Sequence, residues 1–181
     1  MSWRLTLTTV LLAIFAAGTA SSGAQSPPAA PAPYALDNVP DKMPFDIPYG
    51  TPIALERAMV AIAATAAEAR RHDWKLCIAV VDSGGNLVAF QRMDGAQLAS
   101  VQISEHKARA SATFRRETRV FETGIQQSGY NYVLTLDGMI GSRGGIPLVE
   151  GGKLIGAIGC SGGTGSQDEV ACKAGVAAIT K

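Results

Sequence analysis

An α+β fold, with an antiparallel sheet flanked by helices, is predicted by three observations. Two pairs of short apolar runs are each joined by a glycine-bearing tight turn, at Asp82-Ser83-Gly84-Gly85 and at Glu150-Gly151-Gly152, which is the signature of antiparallel hairpins. Long stretches before, between and after them repeat their apolar residues at helical spacing. Two hairpins with several helices on one face make a layered α+β sandwich.

The first segment lies outside that fold. Arg4 supplies a short positive region, Leu5 to Ala17 is apolar and uncharged, and Ser22-Gly23-Ala24 offers a small-residue cleavage site. This pattern predicts a signal peptide over residues 1–24. A membrane anchor is the alternative, but the apolar core is shorter than the roughly 20 residues that a spanning helix needs. Residues 25–49 follow as a linker and N-terminal extension, Pro/Ala-rich from Gln25 to Pro33 and therefore stiff and extended. Residues 50–181 remain, enough for one domain with a real core. The predicted location is periplasmic or secreted, with no stable membrane anchor once the signal is cleaved.

Sixteen Lys and Arg balance fifteen Asp and Glu, a net charge of +1, which argues against nucleic acid as a partner. The three cysteines, Cys77, Cys160 and Cys172, show no zinc-like spacing. Two lie in apolar strand patterns and one in a small-residue helix, so buried inert thiols are expected. Export also permits one disulfide and one leftover thiol, without saying which pair.

The elements follow in order. Thr51-Pro52 opens a helix running to about His72, with Thr51 as cap and Leu55, Met59, Ile62, Ala66 and Ala69 as its buried stripe. Glu56 suits its positive end, and Arg70, Arg71 and His72 its negative end. Trp74–Val81 and Asn86–Met93 form the first hairpin, ended by Asp94-Gly95. From Gln97 to about Arg116 a second helix carries Leu98, Val101, Ala108 and Ala112 inward. A shorter helix spans Glu117–Gln127 before Ser128-Gly129, and residues 130–142 mix strand and turn residues. Ile146–Val149 and Lys153–Cys160 form the second hairpin. A loop at Ser161–Gly165 leads to Ser166-Gln167-Asp168-Glu169, which fits a capping box, and to a helix with Val170, Ala174 and Ala177 inside.

Gly159-Cys160-Ser161-Gly162-Gly163 matches the G-x-S-x-G nucleophile elbow. Both histidines precede the serine, whereas that fold orders its triad serine, acid, histidine, and the predicted helix starts too late. A glycine-rich turn explains the match, and no catalytic residue is assigned. Neither a P-loop nor a dinucleotide fingerprint is present. His106 is the candidate ligand to a metal or haem iron, with Lys107, Arg109, Arg115, Arg116 and Arg119 available for carboxylates. Against this stands a plain solvated basic helix face, since a lone histidine matches no metal-ligand spacing.

Four ordered blocks resemble the GlcG/HbpS family of haem-associated proteins, which is related to the C-terminal domain of PduO-type proteins. They are Ile78-Ala79-Val80-Val81-Asp82-Ser83-Gly84-Gly85 through Phe90 with Arg92-Met93-Asp94-Gly95; Lys107-Ala108-Arg109-Ala110; Phe114-Arg115-Arg116-Glu117-Thr118; and Gly144-Gly145-Ile146-Pro147 through Gln167-Asp168-Glu169. The resemblance covers residues from about Thr51 to Ile179. It implies a profilin-like fold with a five-stranded antiparallel sheet, homo-oligomerisation, and binding of haem or another tetrapyrrole in some members. No common activity or iron ligand is implied, so His106 is a candidate from its chemistry alone. The expected ligand site combines His106, Lys107, Arg109 and Arg116 with the glycine turn Gly144-Gly145. The expected role is storage, buffering or sensing of haem. Two alternatives differ in class: a small-molecule metabolite enzyme or accessory protein using a pocket near the C-terminal glycine loops, and a structural oligomeric partner-binding module.

Overall fold

A computed structural model describes residues 39–180; the predicted signal peptide and residues 25–38 of the linker lie outside the described residues. The elements run α1 (Leu55–Arg71), β1 (Cys77–Asp82), β2 (Leu87–Arg92), α2 (Ser100–Thr113), α3 (Arg119–Ser128), a 3-10 turn (Asn131–Thr135), β3 (Gly145–Glu150), β4 (Lys153–Ser161) and α4 (Gly165–Ile179). Both predicted hairpins form. β1 pairs antiparallel with β2 and with β4, and β4 pairs with β3, giving the order β2-β1-β4-β3.

The sheet therefore has four strands among the described residues, not the expected five. Residues 130–142, where an additional strand could have been read, instead make the 3-10 turn and bends. Phe121, Val133 and Met139 bury there as a small separate cluster, with Ile125 and Tyr130 packed on it. Helices also cover both faces of the sheet rather than one. α1 and α4 pack over Ile78, Val80 and Ile158, while α2 lies over Ala79, Val81 and Ala157.

α1 starts at Leu55, after Ala54, and no side chain caps it. Thr51 and Pro52 stay outside the helix because the flanking backbone is bonded to β4: the Gly50 N–H donates to Leu154 O at 2.7 Å and the Ile53 N–H to Ile155 O at 2.8 Å. Backbone groups spent on the sheet are not free to close a helical turn. The buried face of α1 is Ala58, Ala61, Ile62, Thr65, Ala66 and Ala69, and Leu55, expected inside, is 58% exposed. Small residues face α4 because the two helices nearly touch; a Cβ on Gly175 would lie 2.7 Å from Ala61 O. Met59 is likewise on the surface.

α4 corrects another expectation. Thr164, not Ser166, is its N-cap, and Gln167, not Glu169, closes the box: the Gln167 N–H donates to Thr164 Oγ1 at 3.3 Å and the Thr164 N–H to Gln167 Oε1 at 2.8 Å. Asp168, Glu169, Ala171, Cys172 and Gly175 face inward, and Val170 and Ala177 lie outside. Cys172 then meets Cys160 of β4 in a disulfide, and only Cys77 is a free buried thiol. Inert thiols were the first expectation, with one disulfide and one leftover thiol as the alternative; the alternative holds, and the pairing depends on which face of α4 meets the sheet.

Candidate ligand groove beside a buried ion pair

α2 places Ser100, Ser104, Lys107 and Ser111 along one buried line. Their three- and four-residue spacing is that of one helix face, and the small serines let that face approach β4 closely. The Lys107 ammonium, 1% exposed, donates to Asp168 Oδ2 at 2.8 Å. Asp168, 2% exposed, also accepts the Gly163 N–H at 3.0 Å. Burial pushes the Asp168 carboxyl up, and the Lys107 charge and hydrogen bond only partly oppose it.

Gly144 and Gly145 lie against this pair. Gly144 has φ of +113°, and a Cβ there would sit 2.9 Å from Asp168 Cβ and 3.2 Å from Lys107 Nζ. Gly145 passes so near α2 that a Cβ would collide with the Lys107 carbonyl oxygen. Its N–H donates to Thr118 Oγ1 at 2.9 Å, and its carbonyl accepts the Thr118 N–H at 3.0 Å.

Further charges continue outward from this point. Buried Glu169 meets Arg119 at 3.3 Å, Arg143 at 3.6 Å, and Lys173. Glu122 holds the Arg143 guanidinium at 2.6 Å and accepts its backbone N–H at 2.7 Å. Burial acts to raise both glutamate carboxyls, but hydrogen bonds and charge from Arg143 at Glu122, and from Lys173 and Arg119 at Glu169, outweigh it and hold both below the ordinary range.

Beside this cluster opens a groove of about 760 Å³. Ile146, Pro147 and Val149 of β3 line it together with Val176 of α4. Val120 and Tyr130 contribute from the α3 region, Phe45 and Ile47 from the N-terminal extension, and Arg115, Arg116 and Arg119 supply cationic groups. Mostly apolar walls with a few polar groups are the usual composition of a small-molecule site. Arginine adds planar donors suited to carboxylates. A second cavity of about 570 Å³ lies beside Arg57. There Arg57 is already bonded to Glu150 at 2.5 Å and to Ile179 O at 2.8 Å.

The expected site residues separate in space. Arg116 lines the groove, as do Arg115 and Arg119. Lys107, Gly144 and Gly145 come together, but around an ion pair closed to water, so Lys107 is not part of a solvated basic face. Arg109 instead donates from Nε to Gly85 O at 3.3 Å, at the first hairpin turn. His106 is half-buried on α2, about 100° around the helix from Lys107, and is not a groove residue. Ser161 is buried, with its Oγ 3.0 Å from Ser100 Oγ, rather than presented at a surface elbow. Sequence reasoning missed Phe45, Ile47 and Tyr130. The first two sit in an extension read as linker, and Tyr130 opens the segment without a clear period.

The family model described as "Haem degrading protein HbpS-like" matches residues 53–177. The chain belongs to the HbpS-like family. Among curated relatives, protein GlcG of Escherichia coli strain K12 is 39% identical over 109 residues, covering 60% of this chain and 81% of GlcG. Among solved structures, Klebsiella pneumoniae protein ORFY aligns with a TM-score of 0.67 at 30% identity, over 76% of this chain and 97% of that one. A complex described as PduOC:Heme aligns with a TM-score of 0.66 at 25% identity, over 71% of this chain and 96% of that one. The HbpS-like match ends within the last turn of α4 and begins at Ile53, so Phe45 and Ile47 precede it.

Proposed function

We propose that this chain is an exported haem- or tetrapyrrole-binding protein, acting in haem storage, buffering or sensing, and that the groove at Arg116 is its ligand site. The observation that carries the reading is an apolar groove lined by three arginines in a member of the HbpS-like family. The macrocycle of haem is a broad apolar plate with two carboxylates. Apolar residues such as Ile146, Pro147 and Val120 suit the plate, and Arg115, Arg116 and Arg119 suit the carboxylates. Binding of haem by the PduOC relative supports the same ligand class.

When bound, haem would supply an iron centre whose properties depend on its axial ligand and on pocket polarity. Of the groove residues, Tyr130 is of a type that holds haem iron; His106 lies outside the groove. Tyr130 is therefore the preferred ligand in this reading, in place of His106. A second reading, turnover of the bound haem, is favoured by the family description of haem degradation.

Absorbance titration of the purified protein with haem is the test. Saturable growth of a Soret band is expected, shifted in Tyr130→Phe and unchanged in His106→Ala. A spectrum no different from haem with serum albumin would end this reading. A Soret band that decays when a reductant and oxygen are supplied would favour turnover over storage. Native mass measurement of the same sample should show a homo-oligomer, and intact mass of the secreted form should lack residues 1–24.

A further inference from the structure

We propose that Phe45–Gly50 is a strap that completes the ligand groove, with Phe45 and Arg116 forming a paired clamp on one acidic group of the ligand. The proposal rests on the groove being the haem site, and it concerns residues that precede the family match.

The strap is built into the fold at its downstream end. The Leu154 N–H donates to Pro48 O at 2.8 Å, the Gly50 N–H donates to Leu154 O at 2.7 Å, and the Tyr49 hydroxyl donates to Thr113 O at 2.9 Å. Residues 48–50 thus extend the end of β4 and the end of α2 at once. The upstream end is held by arginines instead. Arg115 Nη1 donates to Ile47 O at 3.2 Å, and the Arg116 guanidinium carbon lies 3.4 Å from the centre of the Phe45 ring. Arg115 adopts φ of +55°, a conformation that L side chains rarely take. Non-glycine residues held in that region are concentrated at ligand clamps and switches, and here the turn brings both arginines to the strap.

Arg116 differs from the other arginines around the groove. Arg119 faces Glu169, and Arg115 has Asp46 at 3.8 Å. Among the described residues Arg116 has no carboxylate partner, and its one side-chain hydrogen bond runs from Nε to Phe114 O at 2.9 Å. Its Nη groups keep their donors. Burial and the neighbouring Arg115 charge both lower its pKa, as expected for a cation short of an anion. The Phe45 ring lies against the Arg116 guanidinium, a favourable cation–π contact, and the N–H donors lie in the guanidinium's own plane. A planar, half-buried fork without a carboxylate partner is well matched to a carboxylate. Phe45 thereby dries the fork, and a ligand carboxylate would neutralise it.

The test measures haem loss from the loaded full chain to an excess of an apo-globin scavenger, together with thermal unfolding of the unloaded protein. Phe45→Ala and Arg116→Gln should each accelerate loss about tenfold, the scale of one charge-assisted contact. Phe45→Trp, which keeps a ring over the guanidinium, should hold the wild-type rate. The wild type should favour haem over its dimethyl ester, and Arg116→Gln should weaken that preference. Unaltered loss rates in Phe45→Ala and Arg116→Gln, with haem still bound by the wild type, would overturn the strap and leave the groove intact. Equal acceleration in Phe45→Trp and Phe45→Ala would also overturn it. Absence of haem binding in the wild type would remove the functional reading and the strap together.

Discussion

Lys107 and Asp168 are both taken out of water, and each ion offsets part of the desolvation cost of the other. Removing one partner is therefore worse than removing both. Lys107→Met should lower stability by about 3–5 kcal/mol, measured by urea unfolding, because it strands a buried carboxylate. Lys107→Met combined with Asp168→Leu should recover most of that loss. A single-variant cost under about 1 kcal/mol would mean that the pair is solvated and worth no more than a surface bridge. The helical period places Lys107 in line with Ser100, Ser104 and Ser111, but serines do not mark a buried face, and Lys107 reads from the sequence as part of a basic surface. Its partner, 61 positions later, was not readable either. Period along one helix carries no information about which side chain another helix presents to it.

Elements here meet at backbone distance. α2 crosses β4 so closely that a Cβ on Gly159 would collide with the Ser104 carbonyl oxygen and stand 3.0 Å from Ala108 Cβ. Gly159→Ala should therefore cost about 3 kcal/mol, the upper part of the overpacking range, seen as a lower urea midpoint with an unchanged slope. Gly138→Ala is a useful contrast, because open space surrounds that position and only its positive φ opposes a side chain; it should cost less. Ala108 and Ala112, on the expected inward line of α2, are small enough for a close helix. That glycine faces it from β4 follows from the sheet register, in which Gly159 stands opposite Ala79 and Gly145. Element boundaries were less readable. Thr51-Pro52 is a sound helix start in isolation, but hydrogen bonds from the flanking backbone to β4 keep it out of the helix, which starts after Ala54. Ser166 is a sound cap too, but Thr164 caps the helix two residues earlier by accepting the Gln167 N–H.

The whole molecule has acid-sensitive ties around the groove. Glu122 and Glu169 have carboxyls held below their unfolded value of about 4.3. A depressed folded pKa contributes stability above the unfolded value, lost as pH falls through the folded value. Acid should therefore loosen the α3–β3–α4 junction by releasing Arg119 and Arg143. Asp168 works the other way. Its raised folded pKa favours the fold below the unfolded aspartate value of about 3.9, a contribution lost as pH rises through the folded value. Stability measured across the acid limb should fall less steeply in Glu122→Gln than in the wild type. Matching slopes would show that the Glu122–Arg143 tie is not coupled to folding.

Hairpins, helices and family membership were all legible along the chain, because turns demand particular residues and packing faces repeat with the period of their element. Arg115, Arg116 and Arg119 were also legible as a cluster able to meet carboxylates. The strand count, the disulfide between Cys160 and Cys172 and the buried state of Lys107 were decided only in three dimensions. The groove was decided there as well. It gathers Phe45, Arg116, Tyr130, Pro147 and Val176 from five separate parts of the chain. Local sequence sets the direction of each side chain relative to its own backbone. The tertiary fold alone sets which backbones come together, since that depends on burial and hydrogen bonding summed over residues far apart in the chain.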